Sequence, residues 1–476
     1  MTVLTETNIF RSDDLAIDFF SFGNVPNKNI AITFTPFGTY GAVSLVGAGY
    51  GGELLLRNGF DVVAFKSARN LWYQNVSAEN IIAVSRFVDA RANLYVRRVG
   101  YGSSMGAYAA IQFSRILKMD VVLALSPQFE IDKPYDKRWQ VAAERIDFKY
   151  RIDASTIEGH CKYFVVFDPV TEDLRHVEKL RELIEPDRLI EIPTPYSGHP
   201  VGHYLTETGL LQDLAISVLQ HSSVARIKIG AHRRLSQTYL YELSKQLVAR
   251  NKNRSALTAI DRAISIDDGK PEFHLHRSIV LGKLDQSEAA LLAIDYAIRV
   301  RNDTPELYFQ RSAVLTVLGR FQSALLAIDK ATSLDREIPE FHVHRSIVLD
   351  NLNQPVAALS AVREAQGLMK HDAHLMGAIS DRLARHGDFV GALALIEQAI
   401  AIDESVLQFH MHKSVVCRAL GDIPGAISAG EIALKISPDN APLLARLSRL
   451  YAAKGGLAGW CKSILLAQKA VFARRD

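Results

Sequence analysis

The sequence predicts two domains of different class: a three-layer α/β domain with a mostly parallel sheet, followed by an all-α repeat solenoid. Three observations carry this. Up to about Gln220, short runs rich in Val, Ile and Phe alternate with helical stretches. From about Leu235 onward those β-rich runs vanish and a 34-residue period replaces them. Of the 476 residues, 48% are hydrophobic and 22% charged, which excludes wholesale disorder and is long enough for two to four domains.

Candidate strands are Leu15–Phe22, Asn29–Thr35, Asp61–Phe65, Leu94–Val99, Asp120–Leu125, Lys162–Phe167 and Leu189–Ile192. Most are short apolar runs bounded by Gly, Pro or Asp, the pattern of strands covered on both faces. Helical patterns lie between them at Ser77–Ala90, Ser104–Lys118 and Glu172–Glu185. Such alternation implies parallel strands joined by right-handed crossovers. The domain is expected over 1–222, with a small cap at about 128–156 where the connection is too long for a simple crossover. A linker is expected at 223–236, and repeats over 237–476.

Stepping by 34, alanine stands at Ala256, Ala290, Ala324, Ala358, Ala392 and Ala426. A second column follows at Ala263, Ala297, Ala331, Ala365, Ala399 and Ala433, and serine precedes the first at Ser244, Ser278, Ser312, Ser346, Ser380 and Ser414. Small residues at fixed places let paired helices approach closely, and the period stacks each pair on the next. This helix–turn–helix period resembles the tetratricopeptide repeat, with six units from about Gln237 to Asn440. A seventh unit keeps Ser448 and Ala467 but carries Trp460 in the first alanine column, and is expected to be a cap. The resemblance implies a protein partner bound through the repeats.

The 55 basic and 52 acidic residues nearly balance, giving a formal charge of +3. This gives no reason to expect a nucleic-acid partner. Cys161, Cys417 and Cys461 fit neither a zinc nor a disulfide spacing. Met1–Asp14 lacks a basic stretch followed by an apolar run, and no stretch approaches the ~18 apolar residues of a membrane span. A cytoplasmic protein with no metal, cofactor or transmembrane segment is therefore expected.

Gly102-Ser103-Ser104-Met105-Gly106 lies between a β-run and a helical pattern. A serine at so sharp a strand-to-helix turn needs small neighbours, which Gly102 and Gly106 supply. If Ser104 is a nucleophile it needs a base and an orienting carboxylate. His199, in the loop after the last candidate strand, is the preferred base, with His203 the near alternative. Asp173 is the preferred acid and Asp168 the alternative, while Glu172 is expected to favour the following helix by its charge. Oxyanion donors are expected from the Met105 backbone and from the loop around Phe37 and Gly38.

Together these residues, over about 15–220, resemble the α/β-hydrolase family. The resemblance implies a Ser-Asp-His triad and acyl-enzyme chemistry on an ester, thioester or amide, as a serine esterase or acyltransferase. The segment Tyr101–Tyr108 with Ser126-Pro127-Gln128 also looks like hydrolase modules beside bacterial surface-glycan enzymes, so the substrate is expected to be an ester or acyl donor, small molecule or glycan.

Aromatic side chains of the cap, Phe129, Tyr135 and Trp139, and Trp72 and Tyr73 after an earlier strand, are candidates to line the substrate mouth. In the repeats, His274 and His276, His342 and His344, and His410 and His412 recur every 68 residues. Residues at i and i+2 do not share a helix face, so a metal site within a pair is not expected. With Arg277, Arg311, Arg345 and Lys413 they are either ordinary helix-surface residues or a weakly basic track for an acidic peptide or glycan. The alternative to an enzyme is a non-catalytic scaffold that uses the hydrolase-like body as a docking surface.

Overall fold

The computed structural model describes residues 4–23, 28–38, 44–224, 228–230 and 232–472. The chain divides into two units, Met1–Asp268 and Gly269–Asp476. That division falls later than the expected linker, part of which (225–227 and 231) lies outside the described residues. The first helix pair of the repeat region therefore belongs with the N-terminal unit.

The N-terminal unit holds an eight-stranded mixed sheet: β1 Thr5–Arg11, β2 Leu15–Ser21, β3 Lys28–Phe34, β4 Phe60–Ser67, β5 Tyr95–Ser103, β6 Val121–Leu125, β7 Lys162–Phe167 and β8 Leu189–Pro193. Their spatial order is β1-β2-β4-β3-β5-β6-β7-β8. Strands β3 to β8 are mutually parallel, whereas β2 runs antiparallel to both β1 and β4. The sheet is thus mostly parallel, as expected, with its antiparallel pairs confined to this edge. Strand β1 left no mark in the sequence because TETNIFR is a polar, exposed edge strand with no buried face to pattern it.

Helices α1 Gly52–Arg57, α2 Ala78–Asp89, α3 Met105–Gln112, α4 Gln140–Ala143, α5 Asp173–Arg181, α6 Gly202–Glu207 and α7 Leu211–His221 connect or close the sheet. Ser77 caps α2 by accepting the Asn80 N–H at 3.1 Å. Strands β2, β4 and β6 are buried along their whole length, which explains their unbroken apolar runs. The exception inside β2 is Asp18, neutralised by the equally buried Lys66 of β4 at 2.6 Å.

The register sets the site. Phe34 of β3 lies beside Gly102, Ser103 beside Leu125, and Phe167 beside Pro193. The strands therefore end together, and the residues that leave them, Thr35, Ser104, Ser126, Asp168 and Thr194, emerge along one edge. The backbone ladder runs one residue further, with Ser104 N donating to Leu125 O at 2.8 Å and Ser126 N to Val166 O at 2.7 Å.

The repeat helices begin with α8 Gln237–Ala249 and α9 Asn253–Ile266 in the N-terminal unit. The second unit holds α10 Pro271–Gly282, α11 Ser287–Val300, α12 Pro305–Val317, α13 Phe321–Leu334, α14 Pro339–Asn351, α15 Pro355–Leu368, α16 Ala373–Arg385, α17 Phe389–Ile402, α18 Leu407–Ala419, α19 Ile423–Ile436, α20 Ala441–Lys454 and α21 Gly456–Phe472. All twelve alanines of the two columns are fully buried. The serine column does more than leave room. The hydroxyls of Ser244, Ser312, Ser380 and Ser414 donate to the carbonyls of Ala256, Ala324, Ala392 and Ala426 at 2.6–2.8 Å, tying the two helices of a pair together.

The capping unit departs from the expected alignment. Ser448 donates to the Ser463 carbonyl at 2.9 Å, three residues beyond the usual partner. Leu466 and Ala470 face the core while Ala467 and Trp460 are exposed. Three extra residues enter at the Gly455-Gly456 turn, where both glycines adopt positive φ. Trp460 thus does not replace the column alanine; Ser463 does.

Candidate active site

Ser104 sits between β5 and α3 at φ 53°, ψ −117°, a conformation that costs a non-glycine residue free energy and that neighbouring contacts must enforce. Those contacts are close. A Cβ at Gly102 would collide with the Gly106 carbonyl, and one at Gly106 with the carbonyl of Phe34 on β3. Both glycines are required for α3 to approach the sheet beneath the serine.

The Ser104 Oγ lies 2.9 Å from His199 Nε2, and His199 Nδ1 lies 2.9 and 3.1 Å from the two oxygens of Asp173. Asp173 is fully buried, and the His199 side chain is 8% exposed. Because Nδ1 faces a carboxylate, it carries the ring proton and leaves Nε2 to accept from the serine hydroxyl. Burial opposes the charge on Asp173, but His199 and Arg138 together hold its carboxyl below the usual range.

Asp168 has a different place. Its carboxylate accepts the N–H groups of Val170 at 2.9 Å, Tyr196 at 3.1 Å and Gly198 at 2.8 Å, so it shapes the loop that presents His199. Burial raises its pKa, and those three N–H groups oppose the rise. Ser126 holds the far side of that loop by accepting the Val201 N–H at 3.0 Å. His203 is exposed on α6 and outside the hydrogen-bonded line. Glu172 occupies the N-cap position of α5 without a side-chain capping bond, and lies 3.7 Å from Arg138 Nε.

Among the expected oxyanion donors, Met105 begins α3, where the first N–H groups have no acceptor within the helix. The Gly38 N–H, in contrast, donates to Asn70 Oδ1 at 3.1 Å, with Asn70 Nδ2 returning a bond to Gly38 O at 2.6 Å. This engagement takes Gly38 out of the donor set and leaves the loop's contribution to Phe37. Thr39 lies outside the described residues.

The expected mouth residues are rearranged. Trp72 and Tyr73 are fully buried, both at positive φ. The Tyr73 hydroxyl bonds Thr35 at 2.9 Å and so anchors the start of the Phe37 loop. Trp72 Nε1 donates to Gln128 Oε1 at 2.8 Å, and that oxygen is also 3.5 Å from Ser104 Oγ. The Gln128 Nε2 is buried and has no hydrogen-bond partner among the described residues.

The cap region is mostly irregular, with α4 and one short 3-10 turn, Lys137–Trp139. Trp139 meets His199 edge-on at 5.6 Å and packs against Phe37 at 5.1 Å and Trp72 at 5.4 Å. Ser104 beneath is only 3% exposed. Phe129 packs on the core instead of the site, its N–H donating to His176 Nδ1 at 2.9 Å, and Tyr135 lies edge-on to His176 at 5.3 Å. Sequence reasoning missed Arg138 and Asp136 as neighbours of Asp173, because in an irregular loop no periodicity tells which cation turns inward.

In the second unit the candidate cations take part in ion pairs. Arg311 pairs with Asp295, Arg345 with Asp329 and Lys413 with Glu397, at 2.7–2.8 Å, so these charges are spent between neighbouring repeats. The histidines are mostly packing groups. His342 and His410 donate to the carbonyls of Arg336 and Glu404, and His344 and His412 bond Ser312 and Ser380 of the preceding repeat. His274 and His276 are likewise buried, with the His274 ring tilted against Tyr296 at 4.3 Å. Arg277 occupies the equivalent position in its helix. A separate groove of about 540 Å³ lies between α14 and α16, lined by Val343, Ile347, Ala378, Asp381 and Arg385.

The class defined by these elements is a mixed-sheet α/β unit joined to a tetratricopeptide-type repeat array. Residues 378–441 match the tetratricopeptide repeat family model. The chain is similar to YrrB, described as a TPR protein with an unusual peptide-binding site, at 21% identity and TM-score 0.31, over 39% of this chain and 96% of that one. It is also similar to PilF of Pseudomonas aeruginosa, at 14% identity and TM-score 0.38, over 47% and 99%, and to a TPR protein of Thermus thermophilus, at 19% and 0.35, over 39% and 98%. No match was found among curated proteins. No helix among the described residues is long and apolar enough to cross a membrane.

Proposed function

We propose that the N-terminal unit is a serine hydrolase or acyltransferase of the α/β-hydrolase kind, acting on an ester or thioester acyl group, and that the repeats recruit a protein partner. The observation that carries this is the unbroken line Asp173–His199–Ser104 at a strained turn on the edge of the sheet. Ser104 attacks the acyl carbonyl as His199 Nε2 takes its proton, and Asp173 stabilises the imidazolium and fixes the tautomer. The tetrahedral oxyanion is met by the Met105 and Phe37 N–H groups, with the N-terminus of α3 favouring its charge. The spare Gln128 N–H suits an acceptor atom of the acyl group. A glycan-borne ester as the substrate rests on the resemblance of residues 101–108 and 126–128 alone.

A partner site in the groove between α14 and α16 fits the protein-interaction role of the repeats. The second reading, a non-catalytic docking body, draws on the burial of Ser104 under Trp139. A fluorophosphonate probe decides between them. Labelling that is lost in Ser104→Ala while the circular dichroism spectrum is retained supports catalysis. Folded wild-type protein that takes up no probe overturns it.

A further inference from the structure

The triad acid has a second partner that comes from the cap. Arg138 Nη2 lies 2.9 Å from Asp173 Oδ1, the same oxygen that faces His199 Nδ1 at 2.9 Å. The guanidinium is itself divided, its Nε and Nη2 bonding the two oxygens of Asp136 at 2.9 and 2.7 Å. Asp136 is fully buried and accepts from His176 Nε2 at 2.8 Å. Since the Phe129 N–H can only donate, His176 Nδ1 accepts, and Nε2 carries the ring proton toward Asp136. The chain Phe129–His176–Asp136–Arg138–Asp173–His199–Ser104 is thus continuous.

We infer that Arg138 is a positioning residue that fastens the cap segment Asp136–Trp139 to the triad acid and, by sharing the Asp173 carboxylate, sets the pH range over which His199 is free to accept a proton. The inference deepens the hydrolase reading and rests on it for its catalytic meaning, but its electrostatic content stands on the geometry alone. A carboxylate facing only an imidazole spends its charge on the imidazolium. With a fixed cation on the same oxygen, less remains, and the cation also opposes protonation of the ring. Asp136 moderates this by drawing on the same guanidinium. Other charged or titratable groups about this cluster, among the described residues, include Glu172, which reaches Arg138, Asp168 beside Asp173, Tyr135 edge-on to His176, and Glu242 of α8, which packs on Gly198 of the histidine loop.

The test is a histidine side-chain NMR titration of the full chain, with the His199 resonance assigned by its loss in His199→Asn. Arg138→Gln is expected to raise the His199 midpoint by about one pH unit, and Asp136→Asn, which frees the cation to act on Asp173, to lower it. Arg138→Lys is expected to lie between wild type and Arg138→Gln. A purely structural role moves both variants the same way or not at all, so midpoints that coincide with wild type, or shift together, overturn the inference. If Arg138→Gln does not fold, the downward shift in Asp136→Asn carries the test. The titration reads the ring whether or not Ser104 reacts, so absent probe labelling beside opposite shifts would count against the hydrolase reading only.

Discussion

Gly106 shows how tightly a single residue is constrained, since any side chain there meets the Phe34 carbonyl. Gly106→Ala is expected to lose about 3 kcal/mol, because helix and sheet must separate, and urea denaturation would measure it. Asp168→Ala removes the acceptor for the Tyr196 and Gly198 N–H groups and releases the loop bearing His199. It is expected to slow probe labelling of Ser104 roughly 100-fold, as small misplacements of reacting groups do. Labelling at the wild-type rate would show that the loop holds without it. Ser104, His199 and Asp173 were legible because a turn that tolerates only glycine on either side is written into the sequence, and because the ends of β7 and β8 bring the loops bearing Asp173 and His199 to the same edge. Arg138, Asp136 and the spare amide of Gln128 were not, because their convergence depends on the path of an irregular loop. The same applies to Trp72 and Tyr73, whose inward aim comes from two consecutive residues at positive φ.

Among the elements, the capping pair and α8 are the informative cases. The 34-residue period located every earlier helix, but it placed the wrong face of α21 inward, since a three-residue insertion at a glycine pair leaves the residue types looking almost periodic. Leu466→Ala is therefore expected to cost about 2–3 kcal/mol, and Trp460→Ala to remain within about 0.5 kcal/mol, in thermal or chemical denaturation. The reverse order would restore the unshifted alignment. Helix α8 begins the repeat array yet is built onto the sheet-bearing unit. Glu207 of α6 accepts from Ser236 and Thr238 at its N-terminus, and Tyr196 of the histidine loop meets Tyr239 edge-on at 5.8 Å. A boundary drawn from composition, at the end of the last β-rich region, could not register a helix of one pattern packed on a loop of the other.

For the molecule as a whole, acid is the sensitive direction in the second unit. Burial holds the His344 imidazole down to about 4, against an ordinary value near 6.5, and lowers His412 as well. Between those two values the unfolded chain binds a proton that the folded chain refuses. The stabilisation from a neutral His344 is thus fully present above about pH 6.5 and is lost as pH falls toward 4, a change of about 3 kcal/mol. Melting curves at pH 7, 5.5 and 4 should show this decline, and His344→Gln should flatten it; an equally steep decline in the variant would assign it to other groups. The sheet edge carries a different kind of load. Trp72, Tyr73, Ser104, Ser126 and Tyr196 all hold left-handed backbone angles within the few loops that surround one hydroxyl. Glycine would relax each angle, yet at Trp72 and Tyr73 it would empty a fully buried site, and at Ser126 it would leave the Val201 N–H without its acceptor. A directed search for heat-resistant descendants of this chain would accordingly accept glycine or asparagine at Tyr196 and leave the other strained positions as they are.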